Sequence, residues 1–341
     1  MKIKMFAAFA GIALLTAGCI NTTCGTKTAA VNASPLTPKK AVRQMSRGIN
    51  LGNTLEPPTK GAWNNGQAQE YYFDDYKAAG FKFVRIPVRW DEHTGTNAPY
   101  TIDEAWLQRV QQVVDWGMAR GLFIILNAHH ENWLTTNYDG AVARERFDRI
   151  WTQISERFKG EPDHLLFEIL NEPHGMTPDQ VDIMNARILK IIRASNPTRL
   201  VLFTGNDWSQ PERLIAATVP EDSYVIGTFH MYFPHSFACD GQGTCGSKAD
   251  RKALHQKFEK VSAWSAAHGV PALLGEFGAV SDCDPASRHA MYTAYVREAL
   301  QCGFPFAVWD DGGKYQVYLR DTRGWNELKD IVITTKSRWF F

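Results

Sequence analysis

Residues 165–173 read LLFEILNEP, a short, mainly apolar run from Leu165 to Leu170 that stops at Asn171-Glu172-Pro173. A run of this length between turn signals is a buried strand candidate. The same kind of run recurs at Gly48-Gly52, Phe81-Val88, Leu122-Ala128, Leu200-Thr204, Tyr224-Phe229, Pro271-Gly275 and Phe304-Val308, which makes eight candidates from residue 45 onward. Amphipathic stretches lie between them. Thr101 and Glu104 form a predicted capping box ahead of Leu107, Val110, Val114 and Met118, and Thr177-Pro178 with Gln180 is a second helix start. Phe147, Ile150, Trp151, Ile154 and Phe158 make an apolar stripe closed by Gly160, and Leu254, Phe258 and Val261 precede a stop at Gly269. Strand and helix alternating eight times predict a single α/β domain, a (β/α)8 TIM barrel. No Gly-rich phosphate loop opens the first unit, which argues against a dinucleotide fold.

The chain has 341 residues, 44% hydrophobic and 21% charged, enough for one large domain. Lys and Arg number 37 against 36 Asp and Glu, so no basic excess exists to neutralise phosphates, and nucleic acid is not an expected partner. Eleven Trp, 11 Tyr and 19 Phe in a neutral protein suit stacking on uncharged ligands such as sugars, although most aromatics in any chain are core.

At the start of the chain, Lys2 and Lys4 precede an apolar run from Met5 to Ala17, too short to span a bilayer. Residues 1–19 read as an export signal. Ala17-Gly18-Cys19 has the form of a lipoprotein signal end, which predicts a lipid on Cys19 and attachment to the cell surface or outer membrane of a bacterium. Thr16 departs from the usual aliphatic residue, and a plain signal that discards Cys19 is the alternative, leaving a secreted protein. Residues 20–43, rich in Thr, Ala, Pro and Lys without apolar periodicity, read as a flexible tether, and residues 44–341 as the catalytic domain. Export permits disulfides. Cys239 and Cys245 bracket the Gly-rich CDGQGTC loop and are the expected pair, while spacing leaves Cys283 and Cys302 open between pairing and free thiols. Oligomeric state is not legible in the sequence.

In a barrel of this kind the active site lies at the carboxyl ends of the strands. Polar residues gather there: Arg85 ends the second strand, His129 and His130 the third, Asn171 and Glu172 the fourth, His230 and Tyr232 the sixth, Glu276 the seventh and Trp309 the eighth. Cleaving a glycosidic bond needs a proton for the leaving oxygen and a nucleophile or activated water opposite it, so two Glu on different strand ends can serve. Glu172 and Glu276 are the candidates. A single Glu at a strand end is more often a rim charge, and only the joint pattern carries weight.

Asn171-Glu172-Pro173 on the fourth strand with Gly275-Glu276-Phe277-Gly278 on the seventh resembles glycoside hydrolase family 5, a family of (β/α)8 retaining glycosidases. The likeness covers about residues 45–330 and includes Arg85 in VRIPVRW, His129-His130, His230, Tyr232, Trp309 and the opening GINLGNTLE at 48–56. It is nearest to bacterial endo-β-1,4-glucanases, some of which also cut mannan. The resemblance implies an enzyme acting on β-1,4-glucan by double displacement, with Glu172 as general acid and then base and Glu276 as nucleophile. Arg85 and Tyr232 would hold Glu276 ionised, and Glu172, without an Arg neighbour, would keep a raised pKa. Asn171 would bind the 2-hydroxyl, His129 and His230 would bind hydroxyls or orient the carboxyls, and Trp309 would be the stacking floor. His130 is a weaker candidate, since neighbours on a strand face opposite ways unless the strand has ended. Asn53 and Glu56 would reach more distant sugars, with a surface charge the alternative for Glu56, and Trp63, Trp133 and Trp208 would extend the cleft. After Trp309 the chain reads Asp310-Asp311-Gly312-Gly313, a departure from the family's Glu and aromatics that bears on mannan as a substrate.

Two other classes are weaker. His129, His130 and Glu131 with His230 and His235 suggest a metal-dependent hydrolase, but the first strand lacks His-x-His and no His-Glu-x-x-His occurs, so neither a metal nor a cofactor is expected. A lipoprotein that captures oligosaccharides without cutting them would use the same tether and aromatics, yet would not need both carboxyls.

Overall fold

The computed structural model describes residues 34–59, 62–64 and 66–337, and the eight expected runs form one closed parallel barrel. Its strands are β1 (Arg47–Asn50), β2 (Phe83–Ile86), β3 (Phe123–Asn127), β4 (Leu165–Glu168), β5 (Val201–Phe203), β6 (Val225–His230), β7 (Ala272–Phe277) and β8 (Phe306–Val308). β8 returns to β1 through Ile49 and Val308, which closes the cylinder. The helices are α1 (Pro38–Met45), α2 (Glu70–Ala79), α3 (Glu104–Ala119), α4 (Asn132–Thr135), α5 (Ala141–Arg157), α6 (Pro178–Ser195), α7 (Pro211–Ala216), α8 (His235–Ala238), α9 (Lys248–His268), α10 (Pro285–Cys302) and α11 (Leu328–Thr334). A short antiparallel pair, β9 (Tyr318–Leu319) and β10 (Gly324–Trp325), lies beyond β8.

Local signals explain most helix ends. Thr177 and Gln180 exchange the reciprocal bonds of a capping box at α6, and Gly269 ends α9 in the left-handed conformation at φ 68°. At α3 the cap is Asp103, which accepts from the Ala105 N–H, rather than the expected Thr101. Two residues closer to the apolar face, Asp103 meets the first unpaired N–H groups directly.

Strand alternation sorts the interior into layers. Phe83, Phe123, Ile125, Leu166, Leu202, Ile226, Leu273 and Ala307 point inward and form an apolar floor. Their neighbours Val84, Ile124, Leu126, Leu165, Phe167 and Leu274 face the helices in the main core. One step up each strand, the inward positions become polar and buried: Asn50, Arg85, Asn127, Glu168, Thr228 and His230. On β7 the alternation reverses. Phe229 pairs with Leu274 but His230 pairs with Glu276, so Gly275 is an extra residue, a bulge that turns Glu276 inward.

The apolar floor corrects the expected tether. Residues 38–43 belong to α1, whose Ala41, Val42 and Met45 pack with Leu36 against the floor residues and close the amino-terminal mouth. Burying Met45 completely contributes about 1.5–3 kcal/mol relative to exposing it. The polar residues of PKKAVRQM hide this face because they occupy the other side of the same helix. Cys19, the export segment and the tether up to residue 33 lie outside the described residues.

The expected Cys239–Cys245 disulfide is absent: Cys239, Cys245, Cys283 and Cys302 are free thiols. The loop is held otherwise. Cys239 hydrogen-bonds to Tyr315, and Cys283 Sγ lies 3.0 Å from the Phe237 carbonyl.

Candidate active site

The strands end earlier than the apolar runs suggest, β3 at Asn127 and β4 at Glu168, so His129, His130, Asn171 and Glu172 lie on the loops just above the barrel. Both His129 and His130 line the cleft, because the strand has ended and His130 turns through a left-handed φ of 58°. Glu172 also takes a positive φ, 42°, an unusual conformation for a side-chain-bearing residue. The cleft has a volume of about 790 Å³ and is lined by His129, His130, Glu172, His230, Tyr232, Glu276 and Trp309 among others.

Arg85 organises the layer beneath. Fully buried, it donates from Nε to Glu168 Oε2 (2.6 Å), from Nη1 to Asn50 Oδ1 (2.9 Å) and Glu276 Oε1 (2.7 Å), and from Nη2 to Asn171 Oδ1 (2.8 Å). Burial opposes its charge, but Glu168 and Glu276 outweigh that and hold the guanidinium more firmly protonated than usual. Glu276 receives a second donor, the Tyr232 hydroxyl at 2.8 Å. Burial raises the Glu276 carboxyl above its usual range while Arg85 and the Tyr232 hydroxyl pull it back.

Glu172 has no hydrogen bond to Arg85 and instead meets His230, Oε1 to Nδ1, at 2.8 Å. Burial pushes its pKa up to about 7 against the pull of Arg85. His230 Nδ1 is also 3.6 Å from Glu276 Oε1, and one oxygen of each carboxyl lies within 4.8 Å of the other. His129 is buried and driven well below the usual imidazole range by that burial, so it is neutral. Asn127 Nδ2, a donor only, approaches its Nδ1 at 3.1 Å, which leaves the proton on Nε2. Burial brings His130 down to about 4. Trp309 lies parallel to His129 at 6.1 Å and forms one wall.

Several expected residues sit elsewhere. Glu56 is neither exposed nor on the cleft wall. It is fully buried, and its carboxylate accepts the N–H groups of Asn53, Thr54 (3.0 Å) and Leu55 (3.2 Å), folding the loop after β1. Burial nonetheless brings it to about 7. The backbone of Asn53 is held in the same turn, at φ 54°. Asp310 is likewise buried below the rim, taking the Val317 and Tyr318 N–H groups, both at 2.7 Å. Trp133 is packed against the core, with Nε1 on Glu131 and Arg146 4.6 Å over its ring. Trp208 does line the cleft, half exposed and stacked on His174 at 4.0 Å, and Trp63 stands exposed, edge-on to His130. Of the metal-ligand alternative, Glu131 does not face the cleft, since it accepts from the Trp90 N–H and Trp133 Nε1. Glu168, Asn50 and Asn127 join the expected residues in this layer, and for Glu168 and Asn127 inward parity with Leu166 and Ile125 is the signal in the sequence.

Paired carboxyls over an open cleft at the carboxyl end of a (β/α)8 barrel are the architecture of a glycoside hydrolase. The family model for cellulase (glycosyl hydrolase family 5) matches residues 42–314. Endoglucanase H of Acetivibrio thermocellus is 48% identical over 293 residues, covering 84% of this chain and 32% of its own, and the cellulase/esterase CelE of the same organism is 36% identical over 295 residues, covering 80% and 36%. The chain thus spans about a third of the length of these two curated relatives. The endoglucanase Cel5A of Thermotoga maritima superimposes with a TM-score of 0.83 at 32% identity over 87% of this chain and 99% of that one, and has been solved with mannotriose and with cellobiose. The chain belongs to glycosyl hydrolase family 5, the cellulase family.

Proposed function

We propose that the chain is an endo-β-1,4-glucanase that hydrolyses its polysaccharide with retention of configuration. The observation that carries this reading is the spacing of Glu172 and Glu276, whose oxygens approach within 4.8 Å. Retaining pairs stand about 5–5.5 Å apart, and inverting pairs about 6.5–9.5 Å to admit a water. Glu172, near pKa 7, gives its proton to the glycosidic oxygen as Glu276 attacks the anomeric carbon. The glycosyl-enzyme ester then breaks when Glu172, now a base, takes a proton from the attacking water. Trp309 and Trp208 offer flat faces to sugar rings along the cleft, and the open groove suits internal cleavage. Mannan hydrolysis is a second reading, favoured by the mannotriose complex of the T. maritima relative.

The test is a panel of carboxymethylcellulose, mixed-linkage glucan, xyloglucan and mannan. Viscosity should fall well ahead of reducing-sugar release on a β-1,4-glucan, and the first product seen by proton NMR should be the β-anomer. An initial α-product would remove retention, and tight binding without any cleavage would leave a capture protein. We also propose export and lipid attachment at Cys19, supported by Lys2 and Lys4, the apolar run and Ala17-Gly18-Cys19. Cys19→Ser should move the protein from the membrane to the soluble fraction, and an unchanged distribution would refute the anchor.

A further inference from the structure

Glu168 is the last residue of β4 and faces the barrel axis directly above Leu166, with only 1% of its surface exposed. A third acid this close to two reacting carboxyls requires an explanation, because a buried charge is retained at considerable expense unless paired. One oxygen is accounted for: Oε2 accepts from Arg85 Nε at 2.6 Å and Asn127 Nδ2 at 3.1 Å. The other, Oε1, has no hydrogen-bond partner among the described residues and lies 3.9 Å from Nε2 of His230, which is also buried and without one among them. Gly275, the bulge residue, leaves this side of the ring uncovered; a Cβ there would come within 2.7 Å of Nε2. A small side-chain rotation or one bridging water closes a gap of this size.

His230 is therefore suspended between acids, with Nε2 towards Glu168 and Nδ1 2.8 Å from Glu172. Burial lowers its pKa, so the ring is neutral and carries one proton. Which nitrogen holds that proton decides what the ring is to Glu172, since the partner of one nitrogen fixes the character of the other. We propose that Glu168 is a positioning residue that draws the imidazole proton of His230 to Nε2, so that Nδ1 presents a lone pair to Glu172 and keeps that carboxyl protonated until the leaving oxygen takes the proton. A lone pair facing an anionic oxygen at this distance is repulsive, whereas a lone pair facing an O–H is a hydrogen bond. After the proton has gone, the same lone pair makes Glu172 a stronger base for the second step. Glu168 acts in the same direction through its charge, offsetting at Glu172 the pull of Arg85. The titratable groups facing Glu172 are Arg85 from β2, His230 from β6, Tyr232 from the loop after β6, Cys239 from the end of α8, Glu276 from β7, Glu168 from β4 and His174 from its own loop.

The inference rests on Glu172 being the acid, and the test separates the two claims. Nitrogen-15 NMR of the resting enzyme below pH 7 should show His230 protonated at Nε2 with an unprotonated Nδ1, and a proton on Nδ1 would overturn the proposal without any variant being made. Glu168→Gln should shift the alkaline limb of kcat/KM about one pH unit towards acid and populate the Nδ1–H tautomer, and Glu168→Asp should restore both in part. An unmoved limb with an unmoved tautomer would refute Glu168's role. Failure of the acid assignment would appear separately, as equal losses in Glu172→Gln on good and poor leaving groups, whatever the His230 spectrum shows.

Discussion

Glu276→Ala should lower turnover of a β-1,4-glucan by on the order of 10⁴-fold or more, the scale on which removal of a catalytic nucleophile is felt. No neighbouring group can substitute. Arg85 is a cation, Tyr232 is held as a phenol with its pKa raised far above the usual range by burial, Glu168 is paired with Arg85, and Glu172 is held against His230. The variant should still fold, because Arg85 keeps its bonds to Glu168, Asn50 and Asn171. Removing the carboxyl opens a small space beside Arg85 and Tyr232 that admits an anion. Azide entering there meets the anomeric carbon from the face Glu276 would have used, and with an activated aryl β-glycoside it should restore turnover and give an α-glycosyl azide. A single displacement inverts, so the anomer formed identifies the face of attack. Retention of ordinary activity, or rescue giving only the β-azide, would move the nucleophile elsewhere.

That Glu172 and Glu276 reach the cleft is legible in the sequence because each follows a strand-like run at a barrel strand's carboxyl end. Other parts were hidden for definable reasons. Glu168 sits inside LLFEIL, where only its parity with Leu166 shows that it points inward, and parity becomes usable once the strand's true end is fixed. The same reasoning applied to β7 would have turned Glu276 outward, since the Gly275 bulge that reverses it appears only in the pairing with β6. Glu56 and Asp310 look like surface or cleft acids, yet both are consumed by backbone N–H groups of their own loops, which a linear reading does not reveal. Trp133 and Trp208 are similar in sequence context, but one packs on Phe147 and Arg146 while the other is lifted into the cleft by successive left-handed residues, Asp207, Trp208 and Ser209. Helix α1 reads as tether in the sequence because its apolar face is recognisable only with the floor it covers.

Glu172→Gln should divide substrates by their leaving groups and remove one limb of the pH profile. With the carboxyl at about pKa 7, the wild-type free enzyme holds the acid protonated below neutrality and loses it as pH rises through 7, so kcat/KM should fall on the alkaline side there. On the acid side the profile should fall as Glu276 takes up a proton, at a pH above the ordinary carboxylate range because burial raises it. Glutamine cannot titrate, so the variant's alkaline limb should vanish. Cello-oligosaccharides, whose leaving alkoxide needs a proton, should lose about 10²–10⁴ in kcat/KM, the usual worth of general acid catalysis. A dinitrophenyl glycoside leaves without help, so its first step should be nearly unimpaired. The second step still lacks its base, so the glycosyl-enzyme should accumulate as a burst, and azide, which needs no base, should release it as the β-glycosyl azide. The two azide products, α from Glu276→Ala and β from Glu172→Gln, come from opposite faces of the sugar and together assign both carboxyls. A persisting alkaline limb near pH 7 in Glu172→Gln would show that another group supplies the proton.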